Sequence, residues 1–140
     1  MNPTDEQLRT ILTEAKTIAM VGASENPEKP SHRIFKELLA AGYHVIPVNP
    51  RETSVLGEKA VASLAEIKEP VDIVDVFRRA EDTPTIADEA ARLPGGGAKT
   101  LWLQAGISND ETAARARAHG MTVVMDKCIG VAHRTLIGHR

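Results

Sequence analysis

The sequence predicts a doubly wound α/β fold with a five-stranded parallel sheet and helices on both faces. Five short apolar runs, rich in β-branched residues, are nearly continuous rather than alternating, as expected for parallel strands covered on both faces. Helical patterns lie between most of these runs, so the strands are joined by right-handed crossovers. The predicted strands, first to fifth, are Thr17–Val21, His44–Val48, Val71–Val76, Thr100–Leu103 and Thr122–Met125.

A capped leading helix over residues 1–16 precedes the first strand. Thr4 to Lys16 opens with Thr-Asp-Glu-Gln and continues with apolar residues at helical spacing. Three further segments end at glycine or at the Pro-Gly-Gly-Gly loop, and one of them starts with Thr-Pro, a cap followed by proline at the first helical position. These three helices are predicted at Ser31–Ala41, Thr83–Leu93 and Asn109–His119.

The connection from the second strand to the third is less regular. Asn49 to Pro70 carries one short helical turn around Val61 to Ile67. With no repeat or linker, we expect one Rossmann-like domain over residues 1–140 with strand order 3-2-1-4-5.

Composition narrows the function. At 140 residues and 42% hydrophobic, the chain is long enough for one packed domain. A formal net charge of −2 argues against a general nucleic-acid binder, and no apolar run is long enough to span a bilayer. The single cysteine and the absence of a signal-peptide pattern at the N-terminus predict a cytoplasmic protein. The five histidines show no metal-ligand spacing, and no metal is expected.

The ligand of such a sheet lies outside the carboxyl ends of the strands, where the strand order reverses, here expected between the first and fourth strands. Gly22 lets the first turn approach a ligand, and Ser31 is expected to cap the next helix, whose free N–H groups favour an anion. Lys29, beside Pro30, and Arg33 bring positive charge. Any βαβ unit needs a glycine turn and a cap, however, so a purely structural interpretation of these residues stays open.

The dinucleotide interpretation fits this turn poorly. NAD sites have G-x-G-x-x-G and an acidic residue at the end of the second strand, whereas one glycine and Asn49-Pro50-Arg51 stand here. Arg51 suits a phosphate carried on a ribose. NADP and coenzyme A (CoA) both carry one, so both stay open.

Five segments in register together resemble a known family: VGAS followed by P-x-x-P-S, then GYHVIPVNPR, VDIVDVFR, LWLQAGI and VVMDKC. From about Thr17 to Arg134 the chain resembles the small, single-domain CoA-binding proteins. These are similar to the CoA-binding domain of the succinyl-CoA synthetase α subunit and of ADP-forming acyl-CoA synthetases.

The resemblance implies an extended CoA across the strand ends. The backbone of Gly22, Ala23 and Ser24 would then hold the pyrophosphate. The residues implied for the 3′-phosphoadenosine are Asn49, Pro50 and Arg51, with Lys29 nearby. Phe77 and Arg78 would flank the adenine. The residues implied for the pantetheine arm are Gln104, Ala105 and Gly106.

Three other residues need an interpretation. Trp102 is expected in the core. Asp75, inside a buried strand, is expected to bond backbone N–H groups of a neighbouring loop. Cys128 is either a packing residue or, at the strand-end rim before an expected helix N-terminus, a thiol near that of CoA. The native ligand is therefore open between CoA, an acyl-CoA and a CoA disulfide.

Catalysis is not expected. In the synthetases that the chain resembles, the catalytic histidine lies in a later domain, and no catalytic arrangement can be argued here from spacing. Two alternatives remain: an NADP-dependent oxidoreductase, and a CoA-binding subunit of a larger synthetase-like complex. A homodimer is also compatible with the sequence.

Overall fold

In a computed structural model, which describes residues 2–138, five parallel strands form one sheet between two layers of helices. The sheet strands are β1 (Thr17–Val21), β2 (His44–Val48), β5 (Ile73–Val76), β6 (Thr100–Leu103) and β7 (Thr122–Val124). A small antiparallel hairpin of β3 (Ser54–Val55) and β4 (Glu58–Lys59) stands apart. The helices are α1 (Asp5–Glu14), α2 (Pro30–Ala40), α3 (Thr83–Ala91), α4 (Asp110–Ala118) and α5 (Ile129–Leu136).

The strands lie in the spatial order β2-β1-β5-β6-β7. The Rossmann order 3-2-1-4-5 is recovered when Val61 counts as the third strand position, because it forms an isolated parallel bridge with Val48 on the edge of β2 that faces away from β1. The segment predicted as third strand is β5, and it lies directly beside β1 rather than outside β2. The order therefore reverses between β1 and β5, and not between Thr17–Val21 and Thr100–Leu103 as expected. The sequence signal failed here because a single bridged residue has no apolar run of its own.

Alternate side chains along each strand feed two separate cores. On one face, Ile18, Met20 and Trp102 pack with α1, α2 and α5. On the other, Val74 and Leu101 pack with α3 and α4. The expected core position of Trp102 is confirmed: it is fully buried, and its Nε1 donates to the Lys127 carbonyl at 2.9 Å.

The helix starts follow local capping chemistry. The capping box of α1 is present, with Thr4 and Gln7 each bonding the other's backbone N–H. α2 begins at Pro30, so Ser31 lies inside the first turn and is not the cap. Proline, whose φ is already helical, takes the first position. Thr83 likewise is the first residue of α3, and its hydroxyl contacts Ala80 and Thr112 instead of capping.

The connection after β2 departs most from expectation. Its hairpin was not predicted, and the helical turn shortens to a 3₁₀ turn at Leu64–Glu66. Leu64 and Ile67 close the core beside α3. Among residues 2–138, none of the helices has the length and apolarity needed to cross a membrane.

The two strand aspartates have different tasks. Asp72 Oδ2 accepts from the backbone N–H groups of Lys16 and Thr17 at 2.8 and 3.0 Å. Partial burial alone would raise the Asp72 pKa, but these bonds and the Lys99 ammonium lower it below its usual value. The backbone-bonding role expected for Asp75 therefore belongs to Asp72.

Candidate functional site

A polar cavity of about 660 Å³ opens at the carboxyl ends of β1, β2 and β5, beside the N-terminus of α2. The sheet topology brings ten of the predicted binding residues to this one place, although they come from four separate stretches of the chain. These ten are Gly22, Ser24, Lys29, Pro30, Ser31, Asn49, Pro50, Arg51, Phe77 and Arg78. Glu52 also lines the cavity and was not predicted.

Gly22 is required by the packing of two strands. Its φ is +91°, a conformation that favours glycine, and a Cβ built there would overlap the carbonyl oxygen of Phe77. Its N–H continues the sheet by donating to the Val48 carbonyl at 2.9 Å. The glycine therefore lets the turn after β1 lie directly against the end of β5. This reason holds whether or not a phosphate approaches.

The turn after Gly22 is held from two sides. Asn49 Nδ2 donates to the Ala23 carbonyl at 2.8 Å, and the Ala23 side chain is fully buried. On the other side, His32 Nδ1 lies 2.9 Å from the Ser24 carbonyl oxygen. Asn49 Oδ1 also accepts from the Arg51 N–H at 2.9 Å, so one amide shapes both strand-end turns.

His32 was missed by the sequence reasoning. No role in the site was predicted for it, yet it is 9% exposed and supports the ligand-facing turn. Its position in the first turn of α2, directly after Pro30 and Ser31, was the available signal.

Charges in the polar cavity are unbalanced. Within residues 2–138, the side chains of Lys29 and Arg51 form no hydrogen bond or salt bridge, and both residues are exposed. Arg78 has a partner, since its Nη2 lies 3.4 Å from Asp82 Oδ2. The Glu52 carboxylate accepts the Glu25 N–H at 2.9 Å rather than pairing with either cation. Two free cations beside a helix N-terminus suit an anionic ligand.

A neighbouring cavity of about 410 Å³ shares Pro50 and Arg78 with the polar cavity. Its lining is mixed: Val21, Leu64 and Ile86 are apolar, whereas Glu81, Asp82 and Glu89 carry carboxylates. Lys29 and Arg51 therefore line only the polar cavity, and the neighbouring cavity adds apolar and acidic surface beside it.

A second site, which we term the apolar cavity, lies at the ends of β6 and β7. It has about 390 Å³ and is lined mainly by α1, α5 and the loop after β7. The predicted residues Ala105 and Cys128 lie here, away from the other ten. Cys128 is the residue that precedes α5, as expected, and its side chain packs partly against the core.

The remaining predicted residues do not line either cavity. Arg33 is exposed on α2. Gly106 is exposed, and its N–H donates to Asp126 Oδ1 at 2.6 Å. The Gln104 side chain turns inward, is 4% exposed, and donates through Nε2 to Asp75 Oδ1.

Asp75 is the unusual buried group. By strand alternation it shares the face of Ile73, towards the α2 and α5 layer. It is fully buried, and its Oδ2 has no hydrogen-bond partner among the described residues. Burial raises the Asp75 pKa to about 8, although the hydrogen bond from Gln104 acts in the opposite direction. The carboxyl group is therefore largely protonated at neutral pH.

Two known proteins are similar to this chain over nearly its whole length. A protein from Bacillus subtilis described as "Uncharacterized protein YneT" is 45% identical over 132 residues, which cover 94% of this chain and 96% of that protein. A hypothetical protein of known structure from Pyrococcus horikoshii superposes with a TM-score of 0.92 at 38% identity, covering 97% of this chain and 94% of that one.

The chain is also similar to part of a larger protein. The α subunit of an ADP-forming acetate–CoA ligase (II) from Pyrococcus furiosus is 29% identical over 122 residues. These cover 81% of this chain but only 27% of the ligase subunit, so this chain spans about a quarter of that subunit's length.

The family model described as "CoA binding domain" matches residues 16–134, which include every strand of the sheet. The matched range also contains both cavities, apart from four residues of the apolar one: Asp5, Leu8, Thr135 and Leu136. The chain therefore belongs to the family of CoA-binding domains.

Proposed function

We propose that this protein binds CoA across the carboxyl edge of its sheet, with the nucleotide half of the ligand in the polar cavity. The observation that carries the proposal is a pair of cations, Lys29 and Arg51, whose side chains have no partner within residues 2–138. Both lie beside the N-terminus of α2 in a chain of this family. CoA carries a 3′-phosphate and a pyrophosphate, so it presents anionic groups at two points.

The two kinds of phosphate take different partners in this proposal. The backbone from Gly22 to Ser24 and the α2 N-terminus receive the pyrophosphate, because peptide N–H groups and the helix dipole favour anions. Arg51 receives the 3′-phosphate, since a guanidinium forms paired hydrogen bonds with phosphate oxygens, and Lys29 adds its charge.

The adenine lies between Phe77 and Arg78 and extends towards the neighbouring cavity that shares Arg78. The pantetheine arm then runs along the strand ends towards Ala105 and Gly106. Gln104 contributes only backbone to this path, because its side chain is bonded to Asp75 inside the fold.

We propose that the protein binds CoA in the cytoplasm and catalyses no reaction of its own. Four charged side chains line the polar cavity: Lys29, Arg51, Glu52 and Arg78. Each has a binding or structural use above, and none of the four forms a nucleophile–base pair. The similarity to part of a ligase α subunit supports a second possibility, a CoA-binding subunit that assembles with a synthetase-like partner.

Isothermal titration calorimetry with CoA, NADPH and NAD⁺ tests the proposal. We expect CoA to bind, NADPH to bind more weakly, and NAD⁺ to bind least because it carries no ribose phosphate. Tight binding of NADPH with none of CoA would replace the proposal by an NADP-dependent oxidoreductase. Co-purification of a large CoA-ligase subunit from cells would favour the subunit role.

A further inference from the structure

The apolar cavity lies on the same sheet edge as the polar cavity and differs from it in chemistry. Leu8 of α1 and Val131, Ala132 and Leu136 of α5 give it apolar walls, with Ala105 at one side. The rest of its lining is polar and consists of Asp5, Asp126, Lys127, Cys128 and Thr135. A volume of about 390 Å³ is in the range of small-molecule sites.

The spacing of the strands puts the two cavities about one pantetheine length apart. Three strand steps separate β1 from β7, and at about 4.8 Å each these amount to roughly 14 Å. Between its pyrophosphate and its sulfur, CoA has a chain of about twelve atoms, as many as about four amino-acid residues, which extends to about 14 Å. A ligand held by its phosphates at β1 therefore brings its sulfur to the ends of β6 and β7.

We propose that the apolar cavity takes the acyl group of a CoA thioester, so that the native ligand is an acyl-CoA of short to medium chain length. This inference rests on the proposed CoA binding. Free CoA would leave the apolar walls against water, whereas an alkyl chain would cover them. The exposed Val131, 49% accessible on α5, is part of the surface that such a chain would shield.

Calorimetric titration with CoA, acetyl-CoA, butyryl-CoA and hexanoyl-CoA tests this inference. We expect affinity to rise about fourfold for each methylene that the cavity encloses, so that hexanoyl-CoA binds about tenfold or more tighter than acetyl-CoA. Equal affinities along the series would overturn the acyl inference and leave CoA binding intact. Binding of none of these ligands would instead refute the proposed function.

Variants locate the effect. Ala132→Leu fills the cavity and is expected to reduce the preference for hexanoyl-CoA over acetyl-CoA to less than threefold. Thr135→Leu narrows the same cavity from an exposed position and serves if Ala132→Leu does not fold. Ala114→Leu, on the exposed side of α4 across the sheet, is the matched control and should keep the wild-type preference. An equal change in the cavity variants and in Ala114→Leu would overturn the assignment to this cavity.

Discussion

The two ends of one sheet edge differ in what their strand-end residues leave available. At the β1, β2 and β5 end, glycine, asparagine and unpaired cations surround a polar cavity. At the β6 and β7 end, the polar groups bond one another, as Gly106 does with Asp126, and apolar helix residues line the cavity. The same topology therefore supports two chemistries, and the loops and helices that lie at each end determine which one that end has.

Replacing the glycines at the two ends should give the largest difference in stability between them. Gly22→Ala forces a Cβ into the Phe77 carbonyl at a positive φ, and should cost about 3 kcal/mol or more of unfolding free energy. Gly106→Ala meets nothing within 4 Å and carries only the conformational cost, about 1 kcal/mol. Urea unfolding of both variants measures the difference. Equal losses would contradict the close packing of β1 against β5.

Asp75, between the two ends, predicts a pH dependence. The folded pKa, about 8, lies above the ordinary value of 3.8, so between these pH values the folded protein keeps a proton that the unfolded chain releases. Stability should therefore fall as pH rises through this window, by about 1.4 kcal/mol per unit for this group. Asp75→Asn should remove that fall and be more stable than wild type at pH 8, as measured by denaturant unfolding.

Asp72→Asn is the control for Asp75→Asn, and its effect on the free energy of unfolding should have the opposite sign. The lowered pKa of Asp72 contributes stability at neutral pH that is lost as pH falls through its folded pKa. The Asp72→Asn variant should therefore be less stable than wild type at pH 7. If Asp75→Asn also lost stability at pH 8, the buried carboxyl group would be ionised and paired rather than protonated.

Asn49 tests the polar end more finely. Asn49→Ala removes the bonds to the Ala23 carbonyl and the Arg51 N–H, so both turns that face the ligand lose a support. We expect CoA affinity to fall by about 1–2 kcal/mol for Asn49→Ala. The loss should be larger for Asn49→Asp, because a carboxylate cannot donate to the Ala23 carbonyl and would repel the phosphates. Isothermal titration calorimetry with CoA on both variants measures these changes in affinity. An unchanged affinity in Asn49→Ala would show that the turns keep their shape without the amide.

The smallest expected effect is a mixed disulfide between CoA and Cys128 at the apolar end. If the CoA sulfur reaches this end, oxidation with diamide should join the two thiols in a mixed disulfide that dithiothreitol reverses. Intact-mass measurement on wild type and Cys128→Ser checks this. Absence of a CoA-sized gain in wild type would leave Cys128 as a packing residue.

Much of the fold followed from local rules, and the departures have physical causes. Strands such as Thr17–Val21 were predictable because burial on both faces leaves a continuous apolar run. The place of β5 beside β1 was not predictable, because the strand position outside β2 is filled by Val61 through a single backbone bridge. Ser31 was misassigned as a cap because Pro30 starts the helix one residue earlier.

The candidate site divides in the same way. Residues that follow strands, such as Asn49 and Arg51, were predictable because parallel strands end at one edge. The support from His32 and the pairing of Gln104 with Asp75 depend on which way side chains turn after the chain has folded. Apart from the place of His32 in the first turn of α2, no sequence pattern indicates those contacts.

In the proposed complex, the polar end recognises the 3′-phosphate of CoA through Arg51. The most direct test is a calorimetric cycle with CoA and dephospho-CoA on wild type and Arg51→Ala. We expect wild type to prefer CoA over dephospho-CoA by about 1.5–3 kcal/mol, roughly ten- to a hundredfold in affinity. Arg51→Ala should lose most of this preference and should bind dephospho-CoA as tightly as wild type does. An undiminished preference for CoA in Arg51→Ala would contradict it.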